Sequence, residues 1–70
     1  MKPISRLDFI RRLRKFEFDG PYPGKRHIFM IRGSLCLQIP NPHPGDINVW
    51  LIKEVLRKAR ISDAEWESVK

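Results

Sequence analysis

The stretch Gly24-Lys25-Arg26-His27-Ile28-Phe29-Met30-Ile31-Arg32-Gly33-Ser34-Leu35-Cys36-Leu37-Gln38-Ile39 decides the fold. It leaves a glycine loop, passes two cations and a histidine, and continues as an apolar strand. Gly33-Ser34 suits a two-residue hairpin turn with glycine first. That turn sets a register of Arg32 opposite Leu35, Met30 opposite Leu37 and Ile28 opposite Ile39. A strand turns alternate side chains to opposite faces. Ile28, Met30, Leu35, Leu37 and Ile39 therefore form the core face, and His27, Phe29, Ile31, Cys36 and Gln38 form the other.

Working outward, the N-terminal segment predicts a helix. Ser5 is placed as its N-cap, and Asp8 suits the positive end of the helix dipole. Phe9, Ile10, Leu13 and Phe16 recur on one arc at helical spacing, while Arg11, Arg12, Arg14 and Lys15 ring the rest. The helix is expected to stop near Phe16. Phe18 reads as a short first strand cut off by Gly20-Pro21. The run 19–24 holds two glycines and two prolines and excludes a regular strand in the middle of a sheet.

Beyond the hairpin, the proline-rich run 40–46 ends the sheet. Asn48 or Asp46 caps a second helix whose apolar arc is Leu51, Ile52, Val55, Leu56 and Ala59. Trp50 lies on the opposite side with Lys53 and Arg57, as an interface residue or folded back on the proline loop. Ser62-Asp63-Ala64-Glu65 is a capping box that opens a short last helix, with Trp66 and Val69 closing the core. The expected fold is thus α+β, a single α-β-β-β-α domain over residues 1–70. Its three-stranded antiparallel sheet carries helices on one face, and a short extra helix ends the chain.

Seventy residues bury only about 60% of the unfolded surface. An exposed face or shallow groove is a better site for such a chain than a deep cavity. The net charge of +6 is uneven. Residues 1–34 carry nine Lys and Arg against three acidic residues, whereas residues 35–70 carry five of each sign. A basic half with pI near 10.1 points to a polyanionic partner, nucleic acid first and an acidic protein second. The single cysteine, Cys36, forms no internal disulfide, and with no secretory leader pattern a reducing cytoplasm is expected. No apolar run approaches the ~20 residues of a membrane span. No Cys/His spacing implies a metal, and no cofactor is expected.

The residues narrow the chemistry further. His27 and His43 are the only side chains that titrate near neutrality without perturbation. RNA cleavage suits so sparse a set, because the 2′-hydroxyl is a built-in nucleophile. It needs a base, an acid and cations for the phosphorane charge. His27 beside Lys25 and Arg26 has these elements, with an exposed strand histidine as the plain alternative. His43 joins as a second proton-transfer group only if its loop folds back toward His27. Arg11, Arg14, Lys15 and Arg32 complete the expected RNA-contacting cations. A non-catalytic RNA-binding module is the alternative function.

The chain also resembles the HicA, or YcfA-like, family of toxin–antitoxin systems. The resemblance rests on Lys2-Pro3-Ile4-Ser5, Phe18-Asp19-Gly20-Pro21, the run from Gly24 to Gly33, Ile39-Pro40-Asn41-Pro42-His43 with Gly45-Asp46-Ile47, and Leu56-Arg57-Lys58-Ala59-Arg60-Ile61-Ser62 ahead of Glu65-Trp66. It implies a fold similar to a double-stranded-RNA-binding domain. It implies an mRNA interferase whose one strand histidine is His27. It also implies a HicB antitoxin covering the active face, which would account for outward Phe29 and Ile31. The family commonly has glycine just after the first and second helices, where this chain has Glu17 and Arg60. Those helix ends are expected to differ locally.

Overall fold

The computed structural model describes residues 1–42 and 45–69. In chain order these form α1 (Arg6–Lys15), β1 (Asp19–Tyr22), β2 (Phe29–Arg32), β3 (Leu35–Gln38), α2 (Val49–Ala59) and α3 (Asp63–Ser68). The hairpin has the register read from its turn: Arg32 faces Leu35 and Met30 faces Leu37. Gly33 takes φ 60, the conformation that the first position of such a turn demands. The Ile39 N–H donates to the Ile28 carbonyl at 2.9 Å and carries the pairing one step further. On the inner face Met30, Leu37 and Ile39 are buried, and Ile28 and Leu35 pack at the margin.

The first strand departs from expectation. It does not end at Gly20 but runs through Gly20-Pro21 to Tyr22. Sheet order β1-β2-β3 explains why this is tolerated. β1 is an edge strand, where a residue without an N–H breaks no central ladder. The register shifts between Asp19, opposite Ile31, and Tyr22, opposite Phe29. This bulge absorbs the irregular dipeptide.

All three helices begin on caps. The Ser5 hydroxyl accepts from the Asp8 N–H at 3.2 Å, and the Asn48 side chain accepts from the Leu51 N–H at 2.9 Å. In α3 the Ser62 hydroxyl accepts from the Glu65 N–H while the Glu65 carboxylate accepts from the Ser62 N–H. These satisfy donors that a helix start leaves unpaired. Phe9, Ile10 and Leu13 of α1 and Ile52, Val55, Leu56 and Ala59 of α2 meet the sheet in one core. Buried Trp66 of α3 closes it, against Phe9 at 5.3 Å and Phe16 at 5.9 Å between ring centroids. Arg12 lies over the Trp66 ring at 4.8 Å, so α3 is clamped between an aromatic floor and a cation. A two-way backbone bridge between Ile4 and Ile47 ties the N-terminal segment to the chain before α2.

The C-termini of α1 and α2 share one side chain. Arg32 donates from Nη1 to the Phe16 carbonyl and from Nη2 to the Ala59 carbonyl, both at 3.0 Å. Its guanidinium also lies over the Phe18 ring at 4.4 Å. Phe16 caps α1 and Ala59 ends α2, so one cation answers the negative ends of two helix dipoles. Other end carbonyls are met by the turning backbone. Glu17 and Phe18 N–H groups donate to Arg14 and Leu13, and Arg60 and Ile61 N–H groups donate to Arg57 and Leu56. This double pattern is the Schellman motif, which requires a left-handed residue. Glu17 (φ 70) and Arg60 (φ 59) supply it. The expectation that these ends would depart locally from the glycine-type ending does not hold. Both non-glycine residues adopt the left-handed conformation, because the carbonyl pairing around them over-determines the turn.

Two outcomes follow for urea melts. Arg32→Met is expected to lose about 2 kcal/mol or more, since two charge-assisted hydrogen bonds go together. Glu17→Gly and Arg60→Gly are expected to gain about 0.5–1 kcal/mol each, the relief of left-handed strain less the added freedom of the unfolded glycine.

Candidate nucleic-acid interface

His27 stands in a bend formed with Lys25 and Arg26, ahead of β2, and not in the strand itself. The ladder reaches only as far as Ile28. The tightness of the bend comes from Gly24. A Cβ built on Gly24 would overlap the His27 carbonyl oxygen, so the loop closes on itself only with glycine there. Lys25, Arg26 and His27 are all exposed.

Two adjoining shallow clefts meet at His27. Lys25, Arg26, His27 and Gln38 line the first. The second is lined by His27, Gln38, Ile39, Pro40, Leu51, Val55 and Lys58. His27 and Gln38 therefore stand on the border of both. The charged cleft comes from the loop before β2 and the end of β3. The apolar one comes from the end of β3 and one side of α2. None of the described lining residues is acidic. A single imidazole between three cations can hold a phosphate and exchange a proton with it.

The other expected cations separate into distinct places. Arg11, Arg12 and Lys15 border a cleft on α1 with Ile4 and Asp8, and Arg11 pairs with Asp8 at 3.3 Å. Arg14 donates from Nε and Nη2 to the Gly20 carbonyl at 2.9 and 2.8 Å, tying α1 to β1. None of these lines the His27 clefts. The expectation for Arg32 needs correction. In the register it shares the inner face with Leu35, and its guanidinium is engaged with the helix ends rather than turned toward a ligand. It also acts on α3. The Glu65 carboxyl is held below its ordinary value, first by the Ser62 backbone N–H, then by the Ser62 hydroxyl and the nearby Arg32 charge.

Phe29 and Ile31 lie on the outer sheet face and are half-buried. Phe29 is partly covered by Tyr22, whose ring is 5.6 Å away between centroids. Cys36 and Gln38 on that face are exposed. Trp50, 69% exposed at the start of α2, is not folded against the core. His43 lies outside the described residues. Among the described residues no group of His, Cys, Asp and Glu is placed to hold a metal ion, and no helix is long and apolar enough to cross a membrane.

Lys58 is one of the site residues that sequence reasoning missed. It sits three positions after Val55 and seven after Leu51, on the margin of the apolar arc of α2. Helical spacing marks such a margin, but only the packing of α2 against β3 shows that it borders His27. Comparison of the chain with family models, with curated proteins and with solved structures finds no match.

The loop geometry has a direct test. Gly24→Ala is expected to displace the His27 ring signals in NMR spectra. Its melting midpoint should stay closer to that of the parent protein than the midpoint of Arg32→Met, because the disturbance is confined to an exposed bend. Unmoved His27 signals would refute the account of the bend.

Proposed function

We propose that this protein is a metal-independent endoribonuclease that cleaves mRNA in the cytoplasm, the toxin of a HicA-type toxin–antitoxin pair. The observation that carries the reading is the exposed His27 at the meeting point of two clefts bordered by Lys25, Arg26 and Lys58. The resemblance of the run 24–33 to the HicA family supports it. In this reading Lys25 and Arg26 bind the scissile phosphate and offset the charge that develops on it. His27 takes the proton of the 2′-hydroxyl as the 2′-oxygen bonds to phosphorus. The phosphorus–O5′ bond breaks, and the proton is returned to the leaving 5′-oxygen. A HicB-type antitoxin would cover this side of the molecule, with Phe29 and Ile31 as apolar contacts on the sheet and Trp50 as a separate contact on α2.

The test is incubation of purified protein with single-stranded mRNA in EDTA. Cleavage is expected, and His27→Ala should slow it by about 100-fold or more. Equal cleavage by parent and variant would sink the acid–base role. RNA that is bound with a steep salt dependence but never cut would leave the alternative, a non-catalytic RNA-binding module.

A further inference from the structure

We propose that the apolar cleft between β3 and α2 is a nucleobase subsite, seating one unstacked base of the RNA strand whose phosphate lies at His27. This rests on the reading of RNA as the ligand of the His27 cleft. The two clefts adjoin but draw on different side chains. One is lined by Lys25, Arg26, His27 and Gln38. The other adds half-buried Pro40 and Leu51, with the buried Ile39 and Val55 beneath them and Lys58 at its rim. A nucleotide is divided in the same way, into an anionic phosphate and a flat, weakly polar base joined through a sugar. Charge complementarity favours this occupant, since cations stand at both ends of the paired clefts and no described lining residue is acidic.

Gln38 gives the subsite its reading group. It is exposed at the end of β3 and lines both clefts. Its amide carries a donor and an acceptor, the combination that pairs with a base edge. Leu51 is half-buried, so its outer surface is open to a base while its inner side joins the core. Lys58 at the rim suits the phosphate on the far side of that base. The arrangement assigns phosphate binding to the bend and base selection to the β3–α2 cleft.

The probes are a 2′-O-methyl pentanucleotide, which lacks the nucleophile and cannot be cut, and the same oligomer with its central base removed. Binding is read by fluorescence anisotropy. The parent protein is expected to bind the intact oligomer roughly tenfold more tightly than the abasic one. Gln38→Ala and Leu51→Gln should bring the two affinities together, whereas Lys25→Ala should weaken both alike. In methyl NMR spectra the Leu51 and Val55 signals should move with the intact oligomer and stay in place with the abasic one, a readout that needs no variant to fold. Equal affinities in the parent protein, or a preference that survives both Gln38→Ala and Leu51→Gln, would overturn the subsite. Cleavage of RNA without a base-dependent increment would refute the subsite and leave the reaction standing. The increment without cleavage would do the reverse, and no binding of either oligomer would remove both.

Discussion

The fold depends on one guanidinium. α1 and α2 approach the hairpin from different parts of the chain and end with carbonyls that no later turn of helix can satisfy. Arg32, the last residue of β2, meets one from each helix while resting on the Phe18 ring. The two helix ends, the strand end and the aromatic floor are thereby locked at a single point. Beside it the left-handed residues Glu17 and Arg60 turn the chain out of each helix. Even the capping carboxylate of α3 feels that charge.

Holding the inner face this way leaves the other end of the hairpin for chemistry. Arg32 closes the β2–β3 turn end, whereas His27 stands at the opposite end of β2, where the chain enters from its tight bend. The pleat separates the two duties further. Met30, Leu37 and Ile39 go to the core, and Gln38 goes to the exposed border of the clefts. Lys58 joins the border from α2 because the apolar arc of that helix rolls its margin toward the end of β3. The candidate site is thus assembled from three separate segments whose positions all derive from the packing of the hairpin on the helices.

The hairpin register, the helix caps and the core arcs were legible in the sequence, since each rests on local spacing or a local hydrogen bond. Ser62 and Glu65 illustrate the local kind. What was not legible required knowledge of partners distant in sequence. Arg32 reads as one more basic residue until Phe16 and Ala59 are seen beside it. Lys58 reads as an ordinary helix-margin lysine until β3 is placed against α2. The strand through Gly20-Pro21 was misread because the composition rule for central strands says nothing of a bulged edge. The four α1 cations looked like one charged belt, yet Arg14 is tied to β1 and Arg12 is stacked on Trp66. Charge counts cannot separate cations that build the fold from those that remain available.

The irregular first strand also bears on how molecules of this kind meet one another. An open sheet has two margins at which a foreign strand can add, and long bare margins invite chain-to-chain association. On the β1 side Pro21 lacks a donor and the bulge bends the strand, so a regular incoming ladder finds its register interrupted. The β3 side keeps its alternating residues in plain pairing with β2. The sheet is therefore asymmetric: Gly20-Pro21 interrupts the backbone of one margin, whereas the other margin, which carries Gln38, stays regular.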